Sequence, residues 1–178
     1  MTSERTSKRA QPPRDCPCFS GGRYAACCAP YHRGERQPES PETLMRSRYA
    51  AFALGLADYL VATLASDHSD LEIPRDVLLR ELSRARERQR FLGLQILHTE
   101  ENGDAGAVMF FARIFEKGAD RSFVELSRFR REGGAPGVGA WRYASGIMVP
   151  KADLPKEIDA LQPRDIEALQ TFGLRTRE

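Results

Sequence analysis

Apolar residues in the first half of the chain recur at the spacing of an amphipathic helix. A helix start is indicated at Ser40, where a capping side chain precedes Pro41 and the acidic Glu42. Gly55 interrupts the apolar face that follows, so the pattern predicts two helices that meet at a bend. The apolar positions of this pair are Met45, Tyr49, Phe52, Leu56, Leu60 and Leu64. A further helix is predicted over 74–90, with an apolar stripe at Leu78, Leu82 and Ala85.

Beyond Phe91 the apolar period changes to two, which is the pattern of strands. Even-numbered side chains over 108–114 share one face of the second predicted strand, and odd-numbered ones over 109–115 share the other. Helices followed by an antiparallel meander predict an α+β fold. The predicted strands cover 91–99, 107–115, 123–131 and 141–145, and glycine-containing turns separate them.

The composition is that of a globular protein and gives no sign of a membrane span. Of 178 residues, 41% are hydrophobic and 29% are charged, which suits one domain with an appendage. No apolar run approaches the roughly 20 residues that cross a bilayer. Residues 1–14 lack the apolar core of a secretory signal and are predicted to form a disordered tail. We therefore expect a cytoplasmic protein.

All four cysteines lie within 13 residues, in the spacing C-x-C-x8-C-C. Disulfides are rare in a reducing cytoplasm, and a bridge between the adjacent Cys27 and Cys28 would be strained. Four thiolates on one short turn instead match the tetrahedral preference of Zn²⁺. Gly21 and Gly22 supply the reversal that brings the two cysteine pairs together.

This spacing predicts one structural zinc, because four protein ligands leave no open position for a substrate. His32 is an alternative fourth ligand in place of Cys28, since two adjacent thiolates must splay apart to share one metal. A metal-free cluster, in which the cysteines pack as small apolar residues, is the other interpretation. The predicted ligands are Cys16, Cys18, Cys27 and Cys28.

The cysteine segment resembles a known motif. Cys16-Pro-Cys18, Ser20-Gly21, Tyr24 and Cys27-Cys28 are similar to the SEC-C motif, the zinc knuckle also found at the C-terminus of the SecA translocation ATPase. Phe19 departs from this motif, which usually has Gly at that position. The segments PYHRGE, PETLMRSRYAAF, ADYLVAT, FLGLQI, SRF and WRYASG then follow in the order found in the YchJ-like family of small bacterial proteins. That family joins a SEC-C motif to an NTF2-like domain, and the resemblance covers residues 16–146.

The resemblance implies an NTF2-like (cystatin-like) domain, in which helices pack on a curved antiparallel sheet. The expected segments are the tail over 1–14, the SEC-C zinc knuckle over 15–36, the NTF2-like domain over 40–148 and a C-terminal helical extension over 149–178. Pro155 and Pro163 predict the starts of two short helices in this extension, which we expect to dock on the body. The knuckle is too small to share a core, so we expect the domain from Pro41 to fold without it.

A curved sheet on a long helix commonly encloses a pocket. Arg113, among apolar neighbours, could bind an anion there, although an outward arginine along the sheet is the preferred interpretation. Arg46 and Arg48 lie on different faces of the first helix, so at most one points inward, where it could pair with Glu125. The expected pocket residues are Tyr49, Phe111, Arg113 and Trp141.

Acid–base candidates are few. The segment ASDHSD places His68 between Asp67 and Asp70, but its position between two helices favours a solvated connector over a carboxylate-oriented base. No Gly-rich phosphate loop, nucleophile elbow or H-E-x-x-H motif occurs in the sequence. The pattern specifies no reaction.

Basic residues cluster in two places. Residues 1–40 hold seven Lys or Arg against four acidic residues, and the segment RELSRARERQR holds five arginines against two. Such clusters can meet an acidic protein surface or RNA phosphates, although pairs with nearby glutamates on a solvated helix explain the second cluster equally well. RNA or the ribosome is therefore an alternative partner.

The combined pattern favours a zinc-binding, noncatalytic adaptor. A closed zinc knuckle does no chemistry, so we expect it to display side chains to a partner protein. The alternative is a small-molecule-binding protein or an enzyme that uses the NTF2-like cavity, which polar residues lining that cavity would favour. A homodimer is a further alternative, since NTF2-like sheets often pair. The expected partner-binding residues are Phe19, Arg23, Tyr24 and His32.

Overall fold

The computed structural model of the chain describes residues 13–175, with side chains over 13–169. The predicted tail over 1–14 lies outside these residues, apart from its last two positions. Within the described range, no helix is both long enough and apolar enough to cross a membrane.

The described residues form five α-helices, of which the second, third and fourth follow the apolar pattern of the sequence. Ser40 Oγ accepts a hydrogen bond from Thr43 N–H at 3.1 Å, which confirms the predicted helix start. Gly55 adopts a left-handed φ of 72° and ends that helix, so the predicted bend is also confirmed. The helices are α1 (Ala29–His32), α2 (Pro41–Leu54), α3 (Ala57–Ala62), α4 (Arg75–Arg88) and α5 (Pro163–Arg175).

The strands form one curved antiparallel sheet in the order β1-β2-β4-β5, with the short β3 paired to β2. Register shifts in β1, between Phe91 and Gly93 and between Ile96 and His98, are irregularities of the kind that bend a sheet. The last strand continues five residues past its predicted end at Ser145. The strands are β1 (Gln89–Asn102), β2 (Ala105–Glu116), β3 (Ala119–Asp120), β4 (Phe123–Glu132) and β5 (Ala140–Pro150).

The sheet has two buried faces, as the alternation over 108–115 predicts. Val108 and Phe110 belong to the core that α2 forms with one face. Met109 and Phe111 lie on the opposite face, where the C-terminal extension covers them. The fold therefore has three layers, with the sheet in the middle.

The C-terminal extension follows the second face of the sheet before it ends in α5. The helix start at Pro163 is confirmed, but the one at Pro155 is wrong, because Pro155 lies between two 3-10 turns. Prolines at 150, 155 and 163 cannot donate backbone hydrogen bonds and disfavour helix in the preceding residue. The segment therefore stays irregular, while Leu154 and Ile158 still pack against the sheet.

Candidate functional site

The four cysteine sulfurs lie together on the knuckle. All four Sγ atoms are within 4.8 Å of one another, with Cys18 and Cys27 3.6 Å apart and Cys27 and Cys28 3.9 Å apart. A regular tetrahedron with Zn–S bonds of about 2.3 Å has sulfur–sulfur edges of about 3.8 Å. The sulfurs therefore have the spacing of a four-thiolate metal site, in agreement with the predicted ligand set.

Backbone hydrogen bonds shape the first half of this turn. Asp15 and Arg23 form an antiparallel bridge, and Cys16 N–H donates to the carbonyl of Gly22 at 2.8 Å. Gly21 has a φ of 82°, in the region that favours glycine, so the chain reverses where the sequence supplies one.

The second cysteine pair is placed by short helical turns. The 3-10 turn Tyr24–Ala26 leads into Cys27, and Cys28 directly precedes α1. Ser20 Oγ lies 3.2 Å from Cys18 Sγ and 3.3 Å from Cys27 Sγ. This hydroxyl links the two halves of the site beside the ligands.

The clustered thiols compete for negative charge. Hydrogen bonds from Cys16 and Cys28 lower the pKa of Cys18, whereas hydrogen bonds to Cys16 and Cys18 raise the pKa of Cys28 because a donating thiol holds its proton. A divalent cation removes this competition, since all four ligands bind as thiolates. Soft sulfur donors in a closed tetrahedron fit zinc and leave no position for a substrate.

His32 is not part of the sulfur cluster. Its Nε2 donates to the carbonyl of Ser47 at 2.9 Å, and its Nδ1 accepts from the Tyr24 hydroxyl at 2.9 Å. Both ring nitrogens therefore bind protein atoms, and within the described residues the group that could hold a metal ion consists of the four cysteines.

The four residues predicted to bind a partner divide into two pairs. Phe19 has a left-handed φ of 57°, its ring packs edge-on against Tyr49, and 47% of it is exposed. Arg23 is also exposed. Tyr24 and His32 are half-buried and bind each other, so they hold the knuckle together from inside.

The knuckle packs directly on α2. Cys16, Cys18 and Cys28 form a buried cluster with Ala50 of this helix. Arg46 binds Glu42 on its own helix and also donates to the carbonyl of Cys18 at 3.3 Å. The cysteine cluster is therefore continuous with the helix that covers the sheet.

A cavity of about 770 Å³ lies between the helices and the sheet face that they cover. This volume is in the range of sites that bind small molecules. Exposed residues at its mouth include Arg121, Ser145 and Met148. Its apolar wall includes Met45, Phe52, Phe91, Phe110 and Phe129.

Two charged side chains, the buried Arg48 and the partly buried Glu125, line this cavity without forming an ion pair. Arg48 Nη1 donates to the carbonyl of Leu60 at 2.7 Å and to Thr63 Oγ1 at 2.5 Å. Its guanidinium lies over the ring of Tyr143, 4.7 Å from the ring centroid. Burial lowers the pKa of Arg48 to about 10, so the group stays cationic at neutral pH.

Glu125 is the other charged group. Its Oε1 accepts hydrogen bonds from Ser127 Oγ at 2.6 Å and from the Tyr143 hydroxyl at 3.0 Å. Burial raises the pKa of Glu125, while these hydrogen bonds and the charge of Arg48 act in the opposite direction. Tyr143 thus touches both charges, one with its ring face and the other with its hydroxyl.

His68 lies beside this group, against the ring of Tyr143 at 5.5 Å between centroids. Its Nδ1 accepts a hydrogen bond from Asp70 N–H at 3.1 Å, which starts a 3-10 turn. Both residues line the cavity. The solvated connector that the sequence predicts therefore reaches the mouth of the cavity.

The four predicted pocket residues do not line one cavity. Tyr49 lines the cavity described above, but Phe111 and Arg113 line a separate groove between the sheet and the C-terminal extension. The reason is the strand period, which turns odd-numbered positions of β2 away from α2. Trp141 is buried, where its Nε1 donates to the carbonyl of Glu39 at 3.2 Å.

Sequence reasoning weighed Arg48 against Arg46 and named Glu125 as a partner, but it missed Tyr143 and Ser127. A signal was present in β4. Glu125 and Ser127 fall on the face that otherwise carries Phe123 and Phe129, and polar residues on the apolar face of a strand indicate a lined cavity.

The basic clusters are largely paired within the described part of the chain. On α4, Arg80 binds Asp76 and Arg84 binds Glu81, as expected of a solvated helix face. Residues 1–12 hold three more basic residues and lie outside the described range. The described pairs of the first cluster are Arg33–Glu35 and Arg36–Glu39.

Comparison with known proteins identifies the family. The model of the YchJ middle NTF2-like domain matches residues 40–146. The UPF0225 protein Reut_A0143 of Cupriavidus pinatubonensis is 36% identical over 152 residues, which cover 84% of this chain and 99% of that protein. The UPF0225 protein YchJ of Shigella dysenteriae serotype 1 is 38% identical over 74% of this chain and 81% of its own length.

Solved structures support the same assignment. The solution structure of RPA3114, a SEC-C motif containing protein from Rhodopseudomonas palustris, has a TM-score of 0.62 and 38% identity, over 74% of this chain and 96% of that one. A crystal structure of a SEC-C motif containing protein from Psychrobacter arcticus, 23% identical, shares the fold with a TM-score of 0.61, over 74% of this chain and 81% of that one. With its cysteine cluster and its NTF2-like domain, the chain belongs to the YchJ family of SEC-C motif proteins.

Proposed function

We propose that the protein is a zinc-stabilised binding protein that holds a small molecule in the cavity of its NTF2-like domain. One observation carries this proposal: the buried Arg48 and the partly buried Glu125 line the same cavity and form no direct ion pair with each other. Buried charges are costly unless they are paired or bound. Two such charges facing open space therefore support a site that a ligand completes.

The zinc knuckle has a structural role: it stabilises the helix that lines this site. Its four thiolates close the coordination sphere, so the metal has no position for chemistry. The knuckle packs on α2, which carries Arg48 and Tyr49 into the cavity. Thiolate ligation also suits a reducing compartment, and on this ground we place the protein in the cytoplasm.

A cavity-filling substitution tests the proposal. Ala85 lines the cavity from α4, so Ala85→Phe should fill part of its volume, whereas Ala168→Phe changes an exposed position of α5. Zinc-loaded protein is incubated with a bacterial metabolite extract, separated by gel filtration and analysed by mass spectrometry. We expect a compound retained by the native protein and by Ala168→Phe, and lost from Ala85→Phe. Retention by all three proteins, or by none, contradicts a cavity site.

A second candidate function is the adaptor role of the knuckle, and Phe19 supports it. The left-handed backbone of this residue is costly for a residue other than glycine, yet Phe19 is about half exposed, and Arg23 of the same knuckle is exposed too. Exposed aromatic and arginine side chains on a rigid frame are typical of binding hot spots.

Capture from cell lysate distinguishes this candidate. Phe19→Gly together with Arg23→Ala should abolish capture of a partner protein while one zinc per chain is retained. Tyr24 is left unchanged, because its hydroxyl binds His32 and its loss would disturb the knuckle itself. Capture that is unchanged in the double variant contradicts the adaptor role, as does capture that nuclease treatment removes, which indicates RNA.

A further inference from the structure

The cavity is lined by the buried cation of Arg48 and by the partly buried carboxylate of Glu125, and each group has polar atoms that no described residue binds. Within the described residues, the guanidinium of Arg48 donates hydrogen bonds through Nη1 only. The carboxylate of Glu125 accepts hydrogen bonds at Oε1 only. Within the described range, the one fully buried side-chain atom without a hydrogen-bond partner is Arg131 Nε. The remaining polar atoms of Arg48 and Glu125 therefore reach open space in the cavity that both residues line.

The fold holds these two groups apart and fixes each one. Arg48 is anchored to Leu60 and Thr63 and lies over the face of Tyr143. Glu125 is held at the edge of the same ring by the tyrosine hydroxyl. Because the ring separates the charges, they cannot collapse into a direct ion pair without losing these contacts. The cavity thus presents a fixed donor and a fixed acceptor in one place.

The charges of this pair select the kind of ligand. An anion that approaches Arg48 also approaches the carboxylate of Glu125, and a cation that approaches Glu125 meets the guanidinium. A head group with no net charge can satisfy both, if it carries a hydrogen-bond acceptor for Arg48 and a donor for Glu125. The remaining charged residues that line the cavity are partly or fully exposed: Asp70, Glu116 and Arg121.

From this arrangement we infer that the cavity binds a net-neutral molecule with an aromatic or aliphatic body and a donor–acceptor head group, such as a carboxamide. The body lies against the wall formed by Phe52, Phe91 and Phe110, and the head reaches Arg48 and Glu125. This inference rests on the proposed cavity function and adds the chemistry of the ligand to it.

Four probes with one body and different heads test the inference. They are 3-phenylpropanamide, 3-phenylpropanoate, 3-phenylpropylammonium and propylbenzene. Each is titrated into full-length, zinc-loaded, ¹⁵N-labelled protein at pH 7, and Kd is obtained from the amide shifts of cavity residues. We expect 3-phenylpropanamide to bind about tenfold or more tightly than each of the other three, because only this head satisfies both Arg48 and Glu125.

The variant Glu125→Gln tests whether the negative charge of Glu125 determines which head group binds. The amide oxygen of glutamine can still accept from Tyr143 and Ser127, but the side chain loses its negative charge and leaves Arg48 unbalanced. We expect 3-phenylpropanoate to bind about tenfold more tightly to this variant than to the native protein. A gain of binding cannot come from unfolding. Glu100→Gln, at an exposed position of β1 outside the cavity, should leave all four affinities unchanged.

The outcomes separate the inference from the proposed function. Four equal affinities that Glu125→Gln does not change overturn the inference and leave a purely apolar cavity site. Tightest binding of 3-phenylpropanoate by the native protein also overturns it, since the site then selects an anion. If none of the four probes shifts a cavity residue, the inference and the cavity function fall together.

Discussion

His32 Nε2 lies 2.9 Å from the carbonyl oxygen of Ser47 and joins the knuckle to α2. A carbonyl oxygen only accepts, so Nε2 carries the proton and Nδ1 accepts from the Tyr24 hydroxyl. Burial lowers the pKa of His32, which favours this neutral ring. The ring of Tyr59 packs edge-on against the imidazole at 4.7 Å between centroids. The histidine is therefore a packing residue between two parts of the protein.

His32→Ala should lower stability without releasing the metal. The substitution leaves the Tyr24 hydroxyl without its partner and removes a ring from a half-buried contact, which costs about 1–3 kcal/mol. Urea unfolding measures this loss, and elemental analysis should still find one zinc per chain. His98→Ala is the control, because the imidazole of His98 binds no described residue, and its effect should be smaller. A zinc content well below one equivalent in His32→Ala would show that the histidine is a ligand.

Loss of the zinc should weaken the NTF2-like domain without unfolding it. The α2 residues that pack on the sheet, such as Leu44 and Met45, do not depend on the knuckle, whereas Ala50 faces the cysteines. After deletion of residues 1–38, the remaining chain should therefore still unfold in one cooperative transition, as measured by circular dichroism. Its Tm should fall by roughly several degrees for each 1–2 kcal/mol of lost packing energy. Chelation of zinc from the full chain should give a similar Tm, because metal binding folds the knuckle. A non-cooperative deletion variant would mean that the two parts are one folding unit.

The parts of the fold that depend on neighbouring residues could be predicted from the sequence. The cap at Ser40, the bend at Gly55 and the cysteine turn each depend on a few consecutive residues. In the same way, the strand period of two indicates which side chains over 107–115 share a face of the sheet. For the same reason the metal ligands could be named, since all four lie on one short segment.

The polar group in the cavity could not be derived in this way. Arg48, Glu125 and Tyr143 come from three distant segments, and their meeting depends on strand register and on an irregularity between Arg128 and Phe129. A shift of one residue in this register would turn Tyr143 to the other face. Phe111 and Arg113 line the separate groove rather than this cavity for a related reason: the sequence shows which residues share a face, but not which face the helix covers.

Gly146→Ala should destabilise the protein through the cavity group. A Cβ at this position would overlap Glu125 Oε1 and the Tyr143 hydroxyl, which are held by their own hydrogen bond. Such overpacking costs about 1–3 kcal/mol, because neither group can move without losing its partners. The control is Gly93→Ala in β1, whose nearest new contact is the flexible side chain of Arg113 at 3.1 Å. Equal unfolding midpoints in urea for the two variants would contradict the tight packing of the Glu125–Tyr143 pair.

The stability of the native protein relative to Glu125→Gln should fall as pH rises. Burial raises the pKa of Glu125 in the folded protein above its unfolded value, so the folded state favours the protonated acid. This contribution is fully present below the unfolded pKa and is lost as pH rises through the folded one. Urea unfolding of both proteins between pH 4 and 8 measures the difference, since other groups titrate in both. Asp67→Asn should show the opposite slope at the acid end of a series extended to about pH 3, because hydrogen bonds from Arg130 lower the pKa of Asp67 in the folded protein. A pH-independent difference for Glu125→Gln would mean that burial does not perturb this carboxyl.

Undocking of α5 should make the protein self-associate. Ile166 is fully buried against the second face of the sheet, where the C-terminal extension covers apolar side chains such as Met109 and Leu126. Ile166→Asp places a carboxylate in this contact, at a cost of several kcal/mol by rough scaling, and the freed face is a large apolar patch. We expect the native protein and Ala168→Asp, which changes an exposed position of the same helix, to elute as monomers in gel filtration with light scattering. Ile166→Asp should instead show a mass that rises with concentration, because the uncovered sheet is then free to pair with a second copy. A native protein that is already dimeric, or a monomeric Ile166→Asp, would show that the extension is not what keeps the sheets apart.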